Sequence, residues 1–179
     1  VKVFADSKTV VMADVNCETD FVAKGVDFTG FVNDVVNALL AADVDSEEQL
    51  QALVLANGQT VDETRRALIA KLGENITVRR FQKFVTVDGG QACYLHGSKI
   101  GVIVELAKAD AELGKDVAMH IAASKPMCVS ADQVAPESIE KEKEIFLAQQ
   151  EEKIKDKPAD IVEKMVSGRV NKFLAEVTL

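Results

Sequence analysis

The sequence predicts an α+β fold. It reads as a tandem pair of related subdomains, each a small antiparallel sheet with helices on one face, plus an inserted antiparallel helical (coiled-coil) hairpin. Three observations carry this reading. Strand-like runs come in adjacent pairs joined by short turn segments, which is hairpin pairing and not the strand–helix alternation of a parallel sheet. The two halves repeat one order of elements: two strands, then helices, then a closing strand. Two charged helical segments, each opening with a proline, lie next to one another near the C-terminal end.

The first half begins with "VKVFA" and "TVVMADV", both β-rich, joined by "DSK", which has turn chemistry. A helix follows in "DFTGFVNDVVNALLAA". Phe28, Phe31, Val32, Val35, Val36, Leu39 and Leu40 recur at helical spacing, so they form one apolar stripe and a core face. "SEEQ" at 46–49 and "TVDE" at 60–63 are capping boxes, and each opens a helix. The first of these helices is expected to stop at Asn57-Gly58 and the second at Gly73. "NITVRRFQKFVTV" is then strand-like, with a change of parity at Arg79-Arg80 that predicts a bulge or bend.

The second half opens with the strands "QACYLHG" and "KIGVIVELA". Asp110 caps a helix carrying Leu113, Val117 and Ile121, and "SKP" ends it. "PESIEKEKEIFLAQQEEKIK" and "PADIVEKMVSGRVNKFLA", joined by "DKP", predict the hairpin, with arms of roughly 25 Å at about 1.5 Å per residue. Its first arm has too few apolar residues to be buried on all sides, so it is expected to protrude as a coiled arm. "AEVTL" is the candidate closing strand. The expected subdomains are 1–84 and 85–179, with the hairpin at about 137–173 in the second.

Composition limits the function. At 179 residues with 47% hydrophobic residues, the chain can build real cores. A net charge of -8 repels polyphosphate, so free nucleic acid is not an expected ligand. Cys17, Cys93 and Cys128 form neither a disulfide framework nor a CxxC zinc pair and are expected to be inert core thiols in a reducing compartment. No apolar run approaches bilayer length. The chain begins with Val, as expected of a processed or trimmed product.

Catalytic motifs are missing as well. There is no P-loop, no G-x-G-x-x-G and no G-x-S-x-G, and neither His96 nor His120 has the neighbours of a relay. The acidic group Glu18, Asp20 and Asp27 has a cation-binding reading, but acids at a helix start more often complement its dipole. Catalytic residues, metal ligands and cofactors are therefore expected to be none. One stretch stands out. "VNCETDFVAK" sets Asp20 and Phe21 side by side where a strand gives way to a helix, and an aromatic on such a corner needs a packing reason or a partner.

"VNCETDFVAK", "KLGENITVRR", "HGSKIGV" and "MHIAASKP", in this order, resemble the translation elongation factor Ts family, and the resemblance runs on through "VSGRVNKFLAEVTL". It implies a pair of α+β subdomains with an inserted hairpin. It further implies nucleotide exchange on the GTPase elongation factor Tu, promoting GDP release without chemistry of its own. The resemblance is to the family's core. The small N-terminal helical domain and the short C-terminal module of many relatives have no counterpart in this sequence.

The resemblance carries partner-binding roles onto Asp20 and Phe21 of "TDF", Leu72 and Gly73 of "KLGENI", and His96 of "HGSKIG". Asp20 and Phe21 are implied to intrude near the partner's Mg²⁺ and nucleotide site. Leu72 stands where many relatives have Ile, a swap that conserves volume. Each residue also has a plain structural role open to it. Thr19 or Asp20 can cap the next helix with Phe21 tucked against Val26 or Phe28, Gly73 can end a helix, and His96 can sit in a strand. The rival function is a non-catalytic binding module that stabilises a partner. No membrane partner is expected, localisation is bacterial cytoplasm or an organelle matrix, and the sequence leaves open whether the factor forms a homodimer.

Overall fold

The computed structural model describes residues 2–5 (backbone only), 8–155 and 157–179. Strand β1 (Lys2–Ala5) pairs antiparallel with β2 (Thr9–Asn16) as the hairpin reading expects. Asp6 and Ser7 of its turn lie outside the described residues. Helices α1 (Asp20–Lys24), α2 (Val26–Ala41), α3 (Glu47–Ala52) and α4 (Val61–Leu72) follow, and β3 (Thr77–Val85) returns alongside β2. The sheet order is β1-β2-β3. Asp14 faces Arg80 while Val15 faces Val78, which leaves Arg79 as the extra residue of a bulge where the sequence changes parity.

One core holds these elements together. Val11, Ala13 and Val15 of β2 meet Phe28, Phe31, Val32, Val35, Val36 and Leu39 of α2, with Val61, Leu68 and Ile76 closing the other side. The predicted stripe is buried except for Leu40, which is only partly covered. Full burial of side chains of this size contributes about 1.5–3 kcal/mol each. The "TVDE" capping box forms as predicted, with Thr60 and Glu63 exchanging bonds.

The helix opened by "SEEQ" is shorter than expected. It ends at Ala52, because Leu53 turns extended and Val54 bridges Thr60 across a tight turn. Asn57-Gly58 is the corner of that turn, with Gly58 at φ 82° and the Asn57 carboxamide accepting from the Gln59 amide at 2.9 Å.

Strands β4 (Gly90–His96) and β5 (Ile100–Leu106) form a separate two-stranded antiparallel sheet. Helix α5 (Ala111–Ser124) packs on it through Ala118 and Ala122, against Val102 and Val104. Asp110 caps it, accepting from the Leu113 amide at 2.9 Å. Val117 and Ile121 join the core as predicted, whereas Leu113 is exposed and Gly114 takes the inward position. A Cβ on Gly114 would sit 2.6 Å from the Ala92 Cβ, so glycine is what lets α5 approach β4.

The chain separates into two compact units, Val1–Ala122 and Ala123–Leu179. The boundary expected at 84/85 falls inside the first. In the second unit a 3₁₀ turn (Ala131–Gln133) leads to α6 (Pro136–Gln149), α7 (Glu151–Ile154) and α8 (Ala159–Val177). Helices α6 and α8 pack on each other, and the Arg169 guanidinium meets Glu142 Oε1 at 2.5 Å. Asp156 of the joining "DKP" lies outside the described residues. The closing strand expected in "AEVTL" is not formed. Helix α8 continues to Val177, and pairing is limited to one parallel bridge between Thr178 and Cys128.

Candidate functional site

Helix α1 is a single short turn and a half between β2 and α2. Thr19 is its N-cap, extended at φ -123° and ψ 153°, and its hydroxyl accepts from the Val22 amide at 3.3 Å. Asp20 is in the first turn, where a carboxylate complements the helix dipole. Val22 packs against the first core. Successive helical residues are about 100° apart, so fixing Val22 inward turns its neighbour Phe21 away from the core. The Phe21 side chain is 91% exposed, and Val26 just beyond is 84% exposed. Half of the plain structural reading therefore holds: the cap forms, on Thr19. The other half fails, because Phe21 tucks against neither Val26 nor Phe28.

The end of α4 is bound to this corner. Gly73 closes α4 in the left-handed conformation, φ 73° and ψ 11°, with its amide donating to the Ile69 carbonyl at 2.9 Å. The following Glu74 takes the Glu18 amide at 3.1 Å and the Thr19 amide at 3.0 Å on one oxygen, and the Thr19 hydroxyl at 2.5 Å on the other. Glu18 answers by accepting from the Asn75 amide at 3.1 Å. Leu72 is half-buried against the first core.

The β4–β5 turn supplies a third segment. His96, the last residue of β4, is exposed, with Nδ1 3.2 Å from the Tyr94 hydroxyl. Gly97 turns the chain at φ 61°, and Lys99 extends its ammonium to 3.5 Å from Asp20 Oδ1. The five predicted residues thus lie on three segments, tied through Glu74 to Thr19 and through Lys99 to Asp20.

A search against protein-family models matches residues 18–179 to the model described as elongation factor TS. The chain belongs to the elongation factor Ts family. Elongation factor Ts of Methylococcus capsulatus is 56% identical over 178 residues, which is 99% of this chain and 60% of that relative. Elongation factor Ts of Nitrosospira multiformis is 51% identical over 177 residues, 97% of this chain and 58% of the relative. Elongation factor Ts of Chromobacterium violaceum is 54% identical over 168 residues, 94% of this chain and 57% of the relative. The chain thus spans about three-fifths of the length of the elongation factor Ts proteins it matches.

Within this family member the acidic group does not converge. Glu18 binds the Asn75 amide, Asp20 faces Lys99, and Asp27 pairs with Lys71 at 2.8 Å. Among the described residues no group of three His, Cys, Asp or Glu side chains is placed to hold a metal. No helix among them is long and apolar enough to cross a membrane.

Of the core thiols expected, Cys17 packs against the first core, whereas Cys93 does not lie in a core. Cys93 is exposed on β4, whose two-stranded sheet is covered by a helix on one face, and Cys17 and Cys128 are half-buried. Burial, and then the Glu74 carboxylate, push the Cys17 thiol above its ordinary pKa.

Glu74 and Lys99 were not singled out by the sequence reading. Both stand inside motifs that carry the resemblance, "KLGENI" and "HGSKIG", but their partners are more than 50 residues away along the chain, and nothing local signals such contacts.

Proposed function

We propose that this chain is a guanine nucleotide exchange factor for elongation factor Tu, promoting GDP release by inserting Asp20 and Phe21 near the partner's Mg²⁺ and nucleotide site. The observation that carries the reading is Phe21: a large aromatic side chain, 91% exposed, on a corner whose backbone is hydrogen-bonded from outside. Burying an aromatic anchor in a partner contributes about 2 kcal/mol or more. Linkage requires that a protein which weakens nucleotide binding be weakened equally by nucleotide. Accelerating release by about 10⁴ needs roughly 5.5 kcal/mol of differential contact, to which one anchor makes a sizeable contribution. An adjacent carboxylate competes for the electropositive surroundings of Mg²⁺ and phosphate. Leu72, Gly73 and His96 contact the same partner domain or support that contact.

In this reading the protein acts through surfaces and has no turnover of its own. The finer architecture belongs to the same proposal: related subdomains at 1–84 and 85–179, and a coiled-coil hairpin at about 137–173 formed by α6 and α8. The bacterial relatives favour a cytoplasmic setting. The deciding experiment is stopped-flow release of fluorescent GDP from elongation factor Tu on mixing with the chain. Faster release is expected, and binding with an unchanged release rate would leave a passive binding module instead.

A further inference from the structure

We propose that Glu74 is a positioning residue for Asp20 and Phe21, clamping the segment that leads into α1 onto the end of α4 so that the acid and the ring are presented in one fixed orientation. The inference rests on the exchange-factor reading above and assigns a device to it.

Helix α1 holds to the first core through Val22, but one half-buried side chain cannot fix a helix's direction. The helix has five residues, buries none of them fully, and is far below the length at which a helix is stable alone. Phe21 cannot hold the corner either, since its ring packs on almost nothing. Glu74 supplies what both lack. One carboxylate accepts from three donors on two consecutive residues, the amides of Glu18 and Thr19 and the Thr19 hydroxyl. Hydrogen bonds to an ionised acceptor are the stronger kind. Thr19 passes the constraint on, because the hydroxyl that donates to Glu74 also accepts from the Val22 amide in the first turn of α1. The return bond from Asn75 to Glu18 makes the clamp two-sided. Segments 55 to 57 residues apart are thereby fixed to each other beside the two side chains meant to enter the partner. A wedge ordered in advance binds without paying for ordering at that moment.

Glutamine at 74 keeps an oxygen for the two amides and a donor for the threonine hydroxyl, whereas alanine removes all three bonds. Release of labelled GDP from elongation factor Tu is therefore measured at sub-saturating chain with wild type, Glu74→Ala, Glu74→Gln, Phe21→Ala and the double variant Glu74→Ala with Phe21→Ala. Glu74→Ala is expected to slow release about tenfold, as loss of its hydrogen bonds does, and Glu74→Gln, which keeps the bonds without the charge, to restore part of the rate. Phe21→Ala should cost far less in the Glu74→Ala background than in wild type. A full rate in Glu74→Ala overturns the proposal, as does an undiminished Phe21→Ala cost in that background. No rescue by glutamine while the Thr19 and Val22 amides exchange as slowly as in wild type also overturns it, because the charge would then act on the partner directly. Should wild type itself leave GDP release unchanged, the exchange reading fails, and the clamp is read on the free chain by amide hydrogen exchange. Faster exchange at Thr19, Val22 and Ala23 in Glu74→Ala then upholds the clamp, and unchanged exchange overturns it.

Discussion

Glu74 holds Thr19 at two points, the hydroxyl at 2.5 Å and the amide at 3.0 Å, and so joins the helix start that carries Asp20 and Phe21 to the helix end that carries Leu72 and Gly73. Two motifs separated by most of a subdomain in sequence become one surface. The ends of helices leave backbone groups unsatisfied, and here the residue after one helix satisfies donors leading into another.

Gly73→Ala is expected to destabilise the fold by about 1 kcal/mol, the cost of placing a side chain in the left-handed region. A Cβ there meets nothing within 4 Å, so the loss comes from the backbone alone. Thermal or urea unfolding of the variant measures it. Gly73→Asn, which tolerates that conformation better, should recover part of the loss.

Gly114→Ala tests the opposite cause. Its φ is not in the left-handed region, but the new methyl would lie 2.6 Å from Ala92 and 3.2 Å from Leu106. Overpacking of this kind costs about 1–3 kcal/mol. Urea unfolding should show the loss, and Ala92→Gly in the same chain should relieve part of it.

The thiols should separate by reactivity. Cys93 is exposed, whereas Cys17 is half-buried with its pKa raised by burial and by the Glu74 carboxylate. The thiolate is the nucleophile, so at neutral pH alkylation should reach Cys93 first. Raising the pH should speed Cys17 only above the range where an ordinary thiol ionises. Peptide mapping after timed iodoacetamide exposure reads the order, and Cys17 labelling ahead of Cys93 would contradict it.

Legibility in the sequence followed range. The α2 stripe, the "TVDE" box, the Asp110 cap and the bulge at Arg79 are written in spacing and local side-chain chemistry, and each is formed. Asn57-Gly58 was a true turn signal assigned to the wrong event, because a helix stop and a tight turn use the same residues. In "AEVTL" the helix continues through Val177, which leaves only Thr178 extended to pair. The exposure of Phe21 follows from Val22 facing inward, a single-residue phase that a five-residue helix is too short to display as periodicity. Glu74 and Lys99 could be found only by folding the chain.

His96→Ala should slow GDP release while leaving the melting temperature nearly unchanged, since the ring is exposed and its Nδ1 lies beside the Tyr94 hydroxyl. Surface substitutions of this kind usually stay within about 0.5 kcal/mol. A matched fall in melting temperature and release rate would make His96 a strand residue only.

Phe21→Ala and Asp20→Ala expose the mechanism most directly. The Phe21 ring is already in solvent, so its loss should leave stability within about 0.5 kcal/mol. The nucleotide-free complex with elongation factor Tu should lose about 2 kcal/mol or more. Asp20 meets Lys99 at 3.5 Å with both side chains largely exposed, a pair whose contribution to the fold is small. Removing Asp20 frees an ammonium beside the corner, so the local charge becomes more positive just where the Mg²⁺ surroundings are to be approached. Asp20→Ala should therefore weaken action on the Mg²⁺-loaded GTPase more than on GTPase stripped by chelator. Lys99→Ala should not share that Mg²⁺ dependence, because it leaves the carboxylate in place. The Asp20 and Phe21 changes should be non-additive, as adjacent residues entering one site share their coupling. Stopped-flow release of labelled GDP, with both single variants and the double in Mg²⁺ and in chelator, decides among these. Unchanged release by Phe21→Ala together with a large fall in melting temperature would return Phe21 to a structural role.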